Sequence, residues 1–446
     1  MAVDSAVLDD IFNALEPYKP LEANSPAYVD CDAVRGDGDI LDDLGKRIRR
    51  SREMTYQLYS GHRGGGKSTE LLRLKGNLET ESCFVVYFSA IEEDVKSGDI
   101  EYTDILLACT SHLLAALNEI GNAQPLQEWL KERWDELKDL AQTKVTLDGL
   151  SVKVAVAKFA ELTANLRTEP ALRSQIREKI NPHTPTLIKA LNEFIRDAKT
   201  KLPEGKTKLV LMVDNLDRIA PIYDDRSGRS NHEEIFIDRS EQLKALDCHI
   251  IYTIPFAILF SKWANDLNQN YNDSKILPMI MVRSPNGEIH APGVATIKEI
   301  LAQRIKPFAA ALDLNTEIFE SAATLERLCL MSGGHVRGLL RLAQEAVNRT
   351  DTLPISAKAV QRAITEERDS YRRAVEEHQW ELLAAVSRDK QIQHDPQHRS
   401  LLFSLCLLEY SYLDEQGEKQ TWHDVHPLIE AIPQFKAAQD KGSANK

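Results

Sequence analysis

The chain has 446 residues, 43% of them hydrophobic, and its 55 basic residues against 68 acidic ones give a formal charge of −13. That length exceeds one ordinary domain, and the acidic balance argues against a broad nucleic-acid surface. Six cysteines without a C-x-x-C pair fit a reducing cytoplasm, and the most apolar stretch, residues 250–260, is about half of what spans a bilayer.

In chain order, the opening MAVDSAVLDD lacks the basic start and apolar core of a signal peptide. Val7, Leu8, Ile11, Phe12 and Leu15 share one helical face that stops at Pro17, which predicts a peripheral arm over residues 1–26. Residues 27–33 read as extended. Residues 37–52 read as a helix whose last turns carry Lys46, Arg47, Arg49, Arg50 and Arg52. Such a run is ordinarily a solvated face that also suits a helix C-terminus.

Residues 55–69, TYQLYSGHRGGGKST, organise the rest. A strand-like run (Tyr56, Leu58, Tyr59) enters a glycine-rich turn that opens into a helical pattern (Leu71, Leu74, Leu78). Gly61, Gly66, Lys67 and Ser68 complete G-x-x-x-x-G-K-S between strand and helix, the phosphate-cradling P-loop signature. A match by accident is expected about once in a hundred chains of this length. The loop residues Gly61, His62, Arg63, Gly64, Gly65, Gly66, Lys67, Ser68 and Thr69 are therefore the predicted nucleotide cradle, with Lys67 on the β and γ phosphates of ATP and the Ser68 hydroxyl on Mg²⁺.

CFVVYFSA (83–90) reads as a strand buried on both faces and ends in an acidic loop, Glu92, Glu93 and Asp94. A helix is predicted over 102–120, then an insertion over 121–205. Inside it VTLDGLSVKVAV resembles a hairpin with Asp148 and Gly149 at the turn. KLVLMVDNLDRI (208–219) is a strand ending in Asp214, where a carboxylate beside a P-loop holds Mg²⁺, with Asp217 three residues on. HIIYTIP (249–255) with Thr253, and ILPMIMV (276–282), supply a fourth and fifth strand. The expectation is an α/β fold with a mainly parallel sheet whose site lies at the strands' carboxyl ends.

From residue 295 the pattern is helical, interrupted by SGGHVRG (332–338), where Gly333 and Gly334 end one helix and Arg337 begins the next. Residues 379–433 add two helices, a hairpin turning at Gly417 and a last helix, and 434–446 are expected to be disordered. His394 with His398, and His423 with His426, are spaced to share a ligand but lack an accompanying Glu or Cys in a metal-site spacing.

GHRGGGKST, VDNLD, the Thr253 strand and SGGHVRG together resemble the AAA+ and STAND branches of P-loop ATPases over roughly residues 28–370. The resemblance implies a five-stranded sheet of order 5-1-4-3-2, a core over 27–290, a helical lid over 291–370 and a winged-helix-like module over 371–433. It implies that Asp214 is the Walker B acid, that Thr253 matches sensor 1 and that Arg337 matches the sensor 2 lid arginine. VRGDGDILDDL (34–44) is similar to the adenine-side motif of STAND ATPases, with Arg35 and Gly36 in reversed order. Many relatives place a glutamate after the Walker B aspartate. Here Asn215 stands there and cannot take a proton, so Asp217 or the acidic loop would have to serve, and slow hydrolysis is implied.

The resemblance therefore implies an ATP-controlled switch or assembly module, as in bacterial signalling and anti-phage defence, acting with copies of itself and an effector or regulatory protein. Arg173, Arg177 or Arg239 would be candidates to reach a neighbouring subunit's nucleotide. A DNA-handling ATPase of the origin-recognition or transposition type is the alternative. Charge disfavours it, because residues 371–446 hold 9 basic and 12 acidic residues.

Overall fold

A computed structural model describes residues 2–36, 39–93, 97–137, 152–168, 170–224, 226–271 and 274–444. Its centre is a five-stranded parallel sheet built from β1 (Tyr56–Gly61), β2 (Cys83–Ser89), β3 (Lys208–Asp214), β4 (His249–Thr253) and β5 (Ser274–Leu277). The strand order is β2-β3-β4-β1-β5, which is the expected 5-1-4-3-2 read from the other edge.

The continuous apolar runs follow from this architecture, since alternate side chains enter two different cores. Leu209, Leu211 and Val213 of β3 join Leu58, Val86, Phe88, Ile250 and Tyr252 under the helices of the insertion. Val210 and Met212 face the other way, with Tyr59, Ile251 and the helix residues Leu71, Leu74 and Leu78. The helix Lys67–Glu81 thus covers one face, and Tyr102–Leu117 with its neighbours covers the other.

Several expectations change. The turn at Asp148 and Gly149 lies outside the described residues, but its predicted second arm is the start of a helix, Val152–Thr168. Ala155, Phe159, Leu162 and Leu166 are buried at helical spacing, so packing overrides the β-like valines. Residues 27–33 contain no strand, and the following helix is Ile40–Arg50, its C-terminal carbonyls bound by Lys208 Nζ. The fifth strand starts earlier and is shorter than 276–282, because Pro278 has no N–H for the ladder. Beyond it, Met279 N donates to Glu409 O at 3.2 Å and Met281 N to Val34 O at 3.0 Å.

The N-terminal arm is not peripheral. Its helix, Ala2–Ala14, and Leu15 after it bury Leu8, Ile11 and Leu15 against the helices Ala291–Ala309 and Val336–Asn348. The predicted disordered tail is largely helical, Pro433–Ala444, and its Phe435 is fully buried beside the helix Trp380–Asp389. Between them stands a hairpin, β6 (Leu407–Leu413) paired antiparallel with β7 (Lys419–Val425). One core runs through the arm, the helices from 291 onward and the C-terminal helices, and the helix Ala357–Ala374 passes through residue 370 without a break.

Candidate functional site

The P-loop turn is shaped by what holds its carbonyls. Lys67 Nζ donates to Gly61 O at 2.8 Å and to His62 O at 2.9 Å. His335 Nε2 donates to Arg63 O at 2.6 Å, Arg337 N to Gly64 O at 3.1 Å, and Arg35 Nη2 to Gly65 O at 2.7 Å. The carbonyls from Gly61 to Gly65 are therefore all tied back. The helix starting at Lys67 has no acceptors of its own for its first N–H groups, so this end of the cleft is positive. Gly66 caps that helix at φ +112°, and a Cβ on Gly64 would stand 2.6 Å from His335 Nε2. A side chain at either position would break the turn or push His335 and Arg337 away.

Lys67 also pairs with Asp217, Nζ to Oδ2 at 2.8 Å, with both side chains buried and Asp217 Oδ1 unpartnered. Asp217 reaches the lysine because Asn215 sits at φ +64° and starts a 3-10 turn, Leu216–Arg218. Asparagine tolerates that left-handed conformation better than most residues. Asn215 Nδ2 donates to Ser89 Oγ at 2.7 Å, fastening the ends of β3 and β2 together. Asn215 thus has a structural task that the sequence alone did not reveal.

Asp214 is fully buried. It accepts from Tyr87 Oη at 2.7 Å, from Asn215 N at 2.7 Å and from the Ser68 hydroxyl. Burial, then the neighbouring Asp217, push its pKa above the usual carboxylate range against those hydrogen bonds. A carboxylate and a hydroxyl in contact at the phosphate end are the hard oxygen donors that Mg²⁺ takes, so the residues fit that ion. Thr253 is placed behind this layer. Its Oγ1 accepts from Leu216 N at 3.1 Å, which braces the turn carrying Asp217.

The cleft lies between the strand ends and the helix Val336–Asn348, and Arg63, Gly64, Gly66, Lys67, Ser68 and Thr69 line it. Gly61, His62 and Gly65 do not. His62 points away, with Nε2 accepting from Glu409 N at 2.9 Å, and burial keeps its pKa well below the usual histidine range. Arg337 lines the cleft and donates through Nε to Pro17 O at 3.3 Å. Sequence reasoning missed the segment from Pro17 to Pro20, Tyr87 and Arg218 as parts of this site, and it placed Arg35 in an adenine-side motif where the structure has it holding the loop through Gly65 O. Of the missed residues, only Arg218, inside DNLDRI, carried a visible signal.

Other candidates are occupied elsewhere. Arg173 binds Asp99 at 2.7 Å, and Arg177 binds Asp99, Glu101 and Asp104, so both brace the insertion and neither reaches outward to a neighbouring subunit. Arg239 is exposed and lies over the Tyr102 ring. Glu92, in a short helix Ala90–Glu93 rather than the expected loop, lines the cleft but pairs with Arg218 at 2.7 Å, and Asp94 lies outside the described residues. His398 pairs with Asp395, His423 with Glu409, His394 lies near the Phe260 ring and His426 stacks on Tyr371, so neither histidine pair converges on one ligand.

No family model matches the chain, and no curated protein does. Solved structures with a similar outline include the ORC1 protein of Aeropyrum pernix in complex with DNA, at 12% identity over 97% of this chain and 96% of that one, TM-score 0.39. The ORC2 protein of Aeropyrum pernix in its ADP form gives 12% identity over 99% and 98%, TM-score 0.39. CDC6P of Pyrobaculum aerophilum gives 14% over 96% and 98%, TM-score 0.37. At such scores the likeness is one of outline, and the geometry of the cleft bears the functional argument.

Proposed function

We propose that the chain binds ATP with Mg²⁺ in this cleft, hydrolyses it slowly and works as a nucleotide-controlled switch or assembly module of the AAA+ or STAND kind. The observation that carries this is the joining of the P-loop backbone to the lid loop, through His335 Nε2 to Arg63 O and Arg337 N to Gly64 O. A nucleotide between them touches both bodies. Only such differential contact biases a conformational equilibrium. Ser68 and Asp214 would hold Mg²⁺, whose chemistry is to neutralise phosphate charge. Lys67 and Arg337 would contact phosphate oxygens, and Asn215 would orient water without accepting its proton.

Slow hydrolysis is supported by the state of the two acidic candidates for the base: Asp217 is bound to Lys67 and Glu92 to Arg218. The partners are proposed to be further copies of the chain and an effector or regulatory protein in the cytoplasm, with antiviral defence or signalling as the setting. The test is ATP turnover together with mass measurement, for wild type and Lys67→Ala, with and without duplex DNA. Slow turnover and nucleotide-dependent assembly, both lost in the variant, are expected. Turnover of many ATP per second would defeat the switch assignment, and a salt-sensitive duplex shift would favour the DNA-handling alternative.

A further inference from the structure

Three guanidinium groups lining the cleft, Arg63, Arg304 and Arg337, have no carboxylate partner among the described residues. Lys67 is paired with Asp217 and Arg218 with Glu92. Burial lowers the pKa of all three unpaired arginines, and Arg63 and Arg337 also feel the opposing charges of Asp217 and Arg218. Gathering half-buried cations this closely is unfavourable unless an anion fills the space between them. A diphosphate is served by the loop backbone and Lys67. The surplus cations call for charge beyond it.

Arg63 is well placed to answer that demand. It lies on the turn four residues before Lys67, next to the Asp217 end of the cleft, and its guanidinium stands 5.3 Å from the centre of the Phe403 ring. Phe403 belongs to the C-terminal helix Pro396–Phe403, so that part of the chain aims a side chain of the P-loop. The arginines of the insertion are spent on internal ion pairs.

We propose that Arg63, aimed by Phe403 and acting beside Arg337 in the same chain, reads the terminal phosphate of ATP without an arginine from a neighbouring subunit. The proposal rests on the nucleotide assignment of the cleft. It makes Arg63 a specificity residue for triphosphate over diphosphate, and Phe403 a positioning residue through which the C-terminal helices influence that choice.

The experiment is equilibrium titration of the full chain with ADP and with a non-hydrolysable ATP analogue, in Mg²⁺, at concentrations where sedimentation shows monomer. Wild type is expected to favour the analogue by tenfold or more. Arg63→Gln should erase that preference by weakening the analogue about tenfold more than it weakens ADP, Arg63→Lys should keep part of it, and Phe403→Leu should reduce it without changing ADP binding. Circular dichroism melts check that each variant is folded. Equal loss of both nucleotides in Arg63→Gln, an unchanged preference, or a preference present only in oligomers overturns the proposal. Wild type that binds both nucleotides equally overturns it alone, whereas wild type that binds neither removes the nucleotide assignment as well.

Discussion

Asp217 occupies the partner position on Lys67 that a phosphate would take, and the pair is nearly dry. An incoming nucleotide must displace a carboxylate. Asp217→Asn keeps the shape and removes the competing charge, so ATP should bind about tenfold tighter, or ~1.4 kcal/mol. A fluorescence titration checks this, and weaker binding would show that Asp217 assists the nucleotide. Asp214→Asn should abolish the strengthening of ATP binding by Mg²⁺ while leaving weak, metal-independent binding, as a titration with and without chelator would reveal. The placement of Lys67, Ser68 and Asp214 at one end of the sheet was legible because glycine spacing, a fixed Lys and a strand-final Asp are local patterns. The Lys67–Asp217 pair was not, because it depends on the left-handed backbone at Asn215.

The elements were legible where one periodicity dominates. β2, β3 and β4 carry apolar runs that no surface element would tolerate, and the helix Tyr102–Leu117 ends close to its predicted limit. The last helix was hidden, since PQFKAAQD has one large apolar residue and looks polar by itself. Its fold depends on Phe435 entering a core made by residues far away in sequence. Phe435→Ala should therefore cost about 3–5 kcal/mol, read as a lower denaturation midpoint. An unchanged midpoint would mean that the helix does not dock.

At the scale of the whole molecule, the C-terminal hairpin and the helix Val336–Asn348 are each fastened to the P-loop turn through buried neutral histidines. Glu409 N donates to His62, and His335, at the start of the helix Val336–Asn348, donates to Arg63 O. Burial lowers His335 to about 4 and His426 to about 3, from an ordinary 6.5. The unfolded chain then binds more protons between those values, so stability is fully present above pH 6.5 and falls as the pH drops toward 4. Each such histidine contributes up to about 1.4 kcal/mol per pH unit within that window. Denaturation midpoints from pH 7.5 to 4.5 should show the fall, and His335→Gln should flatten it. A slope equal to that of wild type would exclude His335 as a source.

The sequence by itself determined the strand runs, the glycine-rich turn and the placement of Lys67, Ser68 and Asp214, because strand burial and turn geometry are set by side chains a few positions apart. The tertiary structure alone decided that Pro17 and Arg337 wall one cleft, that Arg173 and Arg177 are internal braces, and that His62 serves the C-terminal hairpin. Those roles arise from contacts between segments up to hundreds of residues apart. Nothing in local spacing encodes which distant partner a buried charge or ring nitrogen will meet.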